Sequence, residues 1–260
     1  MPKVSIIILT KNRVELFKKA LASVEAQNFS DYEIVAVNDG SADATEAYLE
    51  DQKNWNPKLT VIHHKTSLGI IKSRQEAIER SMGEYVAFLD DDDEWIDRDK
   101  LKKQTEFLDK HPECVLVGGG IKIISNSEFL ISKQIPNSKS QINKLRPLSD
   151  SAIRNTMLFR NNFFTSTVMV KKQAVLKAGG FLADGQDFVE DYDLWLRLGR
   201  VGEMYNFPQV FTRYSQPPYN KEKFKNYLKK QLALIGRHRR DYPYYWLASS
   251  LLRLRIILKY

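Results

Sequence analysis

Four short apolar runs, at 4–9, 32–37, 59–63 and 85–89, decide most of what this chain can fold into. Each has the length of a strand, and helical patterning follows the first three. Val14, Phe17, Leu21 and Val24 recur at spacings of three, four and three, which describes an amphipathic helix. The turn Asn38-Asp39-Gly40-Ser41 ends the second run, and Asp43 with Glu46 has the spacing of a capping box opening a short helix. Residues 70–81 read as a third helix, stopped by Met82-Gly83 before the fourth run. This alternation predicts an α/β fold: a Rossmann-like parallel sheet with right-handed crossovers and flanking helices.

In such sheets, ligands bind outside the carboxyl ends of the strands. The polar residues at those ends are Thr10-Lys11-Asn12-Arg13, Asn38-Asp39, His63-His64 and the run Asp90-Asp91-Asp92-Asp93. All four clusters are expected on one rim. Four adjacent carboxylates repel one another unless positive charge sits among them. An all-oxygen set suits a hard cation such as Mg2+ or Mn2+, which takes further ligands from substrate phosphates. The plainer alternative is an acidic loop capping a helix that starts near Lys100, and the convergence of the clusters counts against it. Tandem histidines on a strand end point to opposite faces, so His63 and His64 are not expected to share an ion. Arg74, in the first turn of the third helix, is placed to pair with a phosphate.

Beyond 114–118 the pattern changes. Residues 125–160 are polar and irregular, as an insertion, a lid or a substrate platform would be, and 165–170 read as a strand. Residues 190–198 read as a helix with Leu194, Trp195 and Leu198 on one face and Glu190-Asp191 at its N-terminal end, where the dipole favours anions. Asp193 and Arg197 sit four apart within it as an ion pair. The single cysteine, Cys114, excludes an internal disulfide framework and fits a reducing compartment. The first apolar run is too short for a signal-peptide core and its flanks, or for a bilayer span.

The net charge of +8 is concentrated in the tail, since residues 215–260 carry eleven Lys or Arg against two acids. The rest of the chain is close to neutral. Phe224, Leu228, Leu232 and Ile235 recur at helical spacing there, and Tyr242-Pro243-Tyr244-Tyr245-Trp246 leads into an apolar stretch broken by Arg253 and Arg255. Such a basic amphipathic segment suits an anionic membrane surface without spanning the bilayer. A helical appendage packed on the body or on a partner chain is the other possibility.

Together these segments resemble the family 2 inverting glycosyltransferases of the GT-A fold, which are nucleotide-diphospho-sugar transferases. Residues 4–13 resemble that family's first strand and loop, 33–45 its second, and 83–95 the strand leading into its DxD metal motif. Gly179-Gly180-Phe181 followed by residues 190–197 resembles its catalytic-base region. The likeness covers roughly 3–214. It divides the chain into a donor half at about 1–118, an acceptor half at about 119–214 and a basic amphipathic helical tail at 215–260.

The resemblance implies inverting transfer of a sugar from a UDP- or TDP-sugar to a hydroxyl on a glycan or lipid-linked acceptor, in bacterial cell-surface glycan assembly. The single cysteine and the basic tail point to a cytoplasmic protein, peripheral at the inner face of the cell membrane. The resemblance makes Asp92 the metal ligand for Mg2+ or Mn2+ and Asp191 the base, with Glu190 orienting the acceptor or holding a loop. Asp90 and Asp91 then face the ribose, the sugar or metal-bound waters, and Asp93 either joins them or serves only as a helix-start acid. Thr10, Asn12 and Arg13 frame base and ribose, and Asp39 accepts from a uracil or thymine N–H. Lys11, Asn38, Ser67 and Gln75 depart from the family's usual residues, and the segment 95–101 is one residue longer than usual. These departures bear on the donor base more than on the reaction. Two rivals need no such resemblance. One is a Mg2+-dependent phosphohydrolase or nucleotidyltransferase, which would have no use for Asp191. The other is a nucleic-acid binder led by the basic tail, for which no recognised nucleic-acid motif is present.

Overall fold

In the computed structural model, which describes residues 1–125, 142–182, 188–216 and 220–258, the four apolar runs become parallel strands. β1 (Val4–Thr10) lies between β2 (Tyr32–Asn38) and β4 (Tyr85–Asp90), and β3 (Leu59–His63) pairs with the far side of β2. α1 (Val14–Glu25), α2 (Thr45–Trp55) and α3 (Ile70–Arg80) are the crossovers. β1, β2 and β4 are buried almost throughout, as parallel strands covered on both faces must be. α1 buries Phe17, Ala20, Leu21 and Val24, the stripe its spacing predicts. Register then does the functional work: Thr10 lies opposite Asn38, Asn38 opposite His63 and Leu9 opposite Asp90. The four polar clusters therefore meet on one rim. The Asp43–Glu46 capping box is absent. Asp43 instead accepts from both the N–H and the hydroxyl of Thr45, and α2 has no side-chain cap.

The second half is mixed. β5 (Glu94–Trp95), α4 (Lys100–Lys110), β6 (Cys114–Ser125), β7 (Ile142–Lys144), α5 (Asp150–Thr156), β8 (Met169–Lys171), α6 (Lys172–Lys177), α7 (Glu190–Leu198) and β9 (Glu203–Gln216) follow in order. Strand order is β3-β2-β1-β4-β8-β6-β9-β5, with β7 on β6. β8 runs antiparallel to both β4 and β6, so the sheet changes character there.

Two expectations change. The strand expected at 165–170 is a 3-10 turn, Thr165–Thr167, and the strand begins only at Met169. Hydroxyls draw this backbone into a turn: Thr167 bonds back to the Phe164 carbonyl, and Ser166 is claimed by Asp93. The stretch expected to be irregular at 125–160 contains β7 and α5, the latter capped by the Ser149 hydroxyl. Residues 126–141 of that stretch lie outside the described residues.

The tail forms α8 (Lys221–Arg237), capped by Asn220, and α9 (Tyr245–Leu258). It packs on the body. Leu234, Ile235, Tyr242 and Ala248 share one core with Tyr192, Leu194, Trp195 and Leu198 of α7. The Tyr242 hydroxyl donates to the Leu196 carbonyl at 2.8 Å. The boundary drawn at 214 falls inside β9, so a cut after Tyr214 would remove strand residues and part of this core. Leu234→Ala should accordingly cost about 2–5 kcal/mol of stability. Urea unfolding measures this, and a cost under about 0.5 kcal/mol, typical of surface changes, would mean that the helices do not share the core.

Candidate active site

The rim carries two cavities that meet. The first, about 410 Å³, is lined by Thr10, Lys11, Arg13, Asp39 and the first three aspartates of the run. The second, about 310 Å³, is lined by Arg74, Asp93, Arg146, Asn161, Thr165, Glu190 and Asp191 among others. Ile70 and Asp90 belong to both.

The carboxylates of the run divide among three sets of partners. Asp90 accepts from Arg74 Nη2 at 2.7 Å. Arg13 Nη1 reaches Asp91 at 3.1 Å and Asp92 at 3.3 Å. Asp93, 2 % exposed, accepts from the Ser166 hydroxyl at 2.5 Å and from the Ser215 N–H at 3.0 Å. It is thus a buried clasp between β4, the 3-10 turn and β9, and not the acid that starts α4. Burial raises the pKa of Asp91 to about 6, with Arg13 pulling against it. Burial and then the charge of Asp90 raise Asp92 and Asp93 as well. A set of oxygens this close, short of positive charge and partly open to the first cavity, fits a hard divalent cation. Asp92, the more exposed of the Arg13 pair, is the residue best placed to hold it. Among the described residues no three His, Cys, Asp or Glu side chains converge to hold an ion unaided.

Arg74 is buried, and its guanidinium bridges Asp90 and Glu190, the latter at 3.3 Å. It is committed to these acids and so joins the strand end to α7. A phosphate would have to displace one of them. Burial, followed by the neighbouring Asp191 charge, pushes Glu190 up to about 7. Asp191 is half-buried at the helix start. Its Oδ2 accepts from Thr165 at 2.7 Å and Asn161 at 3.2 Å, and burial raises its pKa too. A carboxylate held by two donors at the edge of a cavity has the geometry that a proton acceptor needs. Asp193 pairs with Arg197 at 2.7 Å, as the spacing predicts.

On the donor-side loops, Asn12 sits at φ 55° and its side-chain oxygen accepts from the Ala42 N–H, while its own N–H donates to Ser41. It therefore fixes the loop after β2. Gly40 has φ +70°, and a Cβ there would meet the Ser67 nitrogen at 2.7 Å, so only glycine fits against that loop. Thr10 is buried beside the first cavity, close enough to Asp91 to pull its pKa down against burial. Asp39 has a role the sequence did not reveal. Its two oxygens accept from His64, Ser67, Ser73 and the N–H groups of Leu68 and Gly69. These five donors anchor the loop leading into α3, and a base N–H would have to share an oxygen with them. His63 turns to Glu50 and His64 to Asp39 and Glu76, so the tandem pair separates as expected.

Ser166, Thr165, Asn161 and Arg146 were not singled out from the sequence. They come from a polar stretch without periodicity, and their only signal is the hydroxyl-rich Thr165-Ser166-Thr167 before an apolar run.

Comparison with known proteins accords with this geometry. Residues 5–175 match the family model for glycosyl transferase family 2. The chain belongs to that family. It is 27% identical over 218 residues to an uncharacterized glycosyltransferase of Haemophilus influenzae, covering 82% of this chain but only 65% of that protein. It is 29% identical over 238 residues to the amylovoran biosynthesis glycosyltransferase AmsE of Erwinia amylovora, covering 90% of this chain and 84% of that one. Among solved structures, S. aureus TarS 1–349 in complex with UDP-GlcNAc superposes with a TM-score of 0.67 at 19% identity, over 90% of this chain and 66% of that one. The mannosyltransferase PcManGT from Pyrobaculum calidifontis, in complex with GDP-Man and Mn2+, gives 0.71 at 18% identity, over 100% and 72%. At these identities the structures establish the fold, which is GT-A.

His64 gives this rim a measurable pH signature. Burial works to lower its pKa, but the hydrogen bonds to Asp39 and Glu76 outweigh this and hold it above the ordinary value. A raised folded pKa means that the contribution to stability is complete below the unfolded value of about 6.5 and is lost as pH rises through the folded one. Wild type should therefore lose stability relative to His64→Asn as pH rises from about 6.5 through the folded pKa. Urea melts across that range test it, and parallel curves for the two proteins would refute it.

Proposed function

We propose that this protein transfers a sugar, with inversion at the anomeric carbon, from a nucleoside diphosphate donor to an acceptor hydroxyl. The observation that carries this is the junction at Asp90 of two cavities, one beside Asp91 and Asp92 and the other beside Asp191. The first cavity takes the donor and the second the acceptor. Asp191 takes the hydroxyl proton as the acceptor oxygen bonds to the anomeric carbon on the face opposite the leaving group. The bond from that carbon to the phosphate oxygen breaks, and the nucleoside diphosphate leaves. Thr165 and Asn161 orient the base, and Arg74 holds Glu190 and Asp90 on either side of the reacting centre. Asp92, with Asp91 and Asp90, would hold a divalent cation, which supplies Lewis-acid neutralisation of the charge developing on the departing diphosphate. The Mn2+ in the mannosyltransferase complex supports this, and the name of the Erwinia relative supports a role in bacterial polysaccharide biosynthesis. Family membership weighs against the phosphohydrolase, nucleotidyltransferase and nucleic-acid alternatives.

Asp191→Asn should keep donor binding and lose about 10²–10⁴-fold in transfer, the usual contribution of a general base. Asp92→Asn should lose the Mn2+-dependent part of donor binding. Calorimetry with UDP, TDP, GDP and ADP, with and without Mn2+, reads the second effect and the base preference, for which UDP or TDP is expected. Near wild-type transfer by Asp191→Asn would sink the assignment of the base.

The tail supports a peripheral membrane location. Leu247, Leu251, Leu254 and Leu258 line one exposed face of α9, with Trp246 and Ile257 beside them, while Ala248, Ser249 and Leu252 pack inward. Among the described residues no helix is long and apolar enough to cross a membrane. The apolar face and the basic residues of the tail together fit an anionic bilayer surface, at about 1 kcal/mol per basic group near the lipid. The full chain should float with vesicles containing anionic lipid at low salt and be released by high salt, and Leu251→Glu with Leu254→Glu should weaken flotation. Failure to float would remove the membrane from this account.

A further inference from the structure

Arg146 has no role in the chemistry above, yet it lines the acceptor cavity with Asn161, Phe164, Glu190 and Asp191. Its guanidinium lies over the Phe164 ring at 4.5 Å, and its Nε is buried without a hydrogen-bond partner. Among the described residues, neither Arg146 nor the adjacent Arg160 has a carboxylate within 4.0 Å. The acids of the cavity are engaged elsewhere: Asp90 and Glu190 on Arg74, Asp93 on Ser166 and Ser215, Asp191 on Thr165 and Asn161. Glu190 Oε2 is also unpaired, so the two unpartnered groups do not satisfy each other. Burial, and then the like charge of Arg160, hold the Arg146 pKa below the ordinary guanidinium value. A half-buried guanidinium beside another cation, with no anion, is costly to keep. Its planar fork matches phosphate oxygens two at a time.

We propose that the acceptor carries a phosphate or diphosphate group and that Arg146 recognises it in the acceptor cavity. This rests on the assignment of that cavity to the acceptor, and it adds the chemical class of the acceptor.

Calorimetry on the full-length protein tests this, with the donor cavity first filled by UDP and Mn2+. Farnesyl diphosphate, inorganic pyrophosphate, farnesol and glucuronate are the probes. Farnesyl diphosphate should bind wild type, and Arg146→Ala should weaken it by about tenfold or more, as loss of a charge-assisted contact does. Arg146→Lys should recover only part, because lysine lacks the fork. UDP with Mn2+ should bind the variants as it binds wild type, which shows that they are folded. If Arg146→Ala does not fold, Arg146→Gln, which keeps part of the stem over Phe164 and removes the charge, should still weaken farnesyl diphosphate. Pyrophosphate binding as well as farnesyl diphosphate would support recognition of the phosphates alone, and weaker binding would support recognition of phosphates together with a lipid chain. The proposal is overturned if wild type does not bind farnesyl diphosphate, if Arg146→Ala binds it unchanged, or if farnesol or glucuronate binds as tightly. A failure of UDP with Mn2+ to bind wild type would instead refute the transferase assignment, and the two failures are distinguishable.

Discussion

Four carboxylates share one strand end here because donors from three parts of the chain divide them. Two such charges about 4 Å apart at a protein surface repel by about 4 kcal/mol, so an unpartnered run would splay or disorder the strand end. Arg74 from α3 takes Asp90, Arg13 from the loop after β1 takes Asp91 and Asp92, and Ser166 with the backbone of β9 takes Asp93. These neighbours come from widely separated parts of the chain. Charge compensation at one point therefore binds the parallel half of the sheet to the mixed half. The same compensation fixes where the two cavities meet.

The parallel half was legible because its strands are buried on both faces and read as unbroken apolar runs. Their ends were legible because ligands gather at the carboxyl ends of parallel strands. The second half was less so. Ser166 accepts from the Asp90 N–H, donates to Asp93 and receives Trp95 Nε1 at its carbonyl, contacts spanning more than 70 residues that leave no local pattern. The resemblance places Asp39 at the base, and its structural anchoring is a further role. Its five donors include Ser67 and Ser73, whose convergence depends on how the loop folds back. Arg74 looked free because neither of its partners is near it in sequence. The amphipathic character of α8 was plain from its spacing, but that it would bury its apolar stripe against α7 depended on Tyr242 and His238, which carry no helical signal of their own.

The geometry also explains why Glu190 and Asp191, adjacent and chemically alike, have different surroundings. Glu190 turns towards Arg74 and the strand end, whereas Asp191 turns towards hydroxyl and amide donors in the second cavity. Consecutive residues on a helix point about 100° apart, so one turn of α7 presents one acid to Arg74 and the next to the hydroxyl and amide donors of the same cavity.

Asp193 is gripped from two directions, by Arg197 on its own helix at 2.7 Å and by His238 of the tail at 3.4 Å, and Arg197 in turn donates to the Ala178 carbonyl. The helix that bears Glu190 and Asp191 is therefore fastened to the segment that ends in α9. In mechanical terms the two form a single lever without a hinge at that point. A surface that held α9 would also set the direction in which the cleft opens.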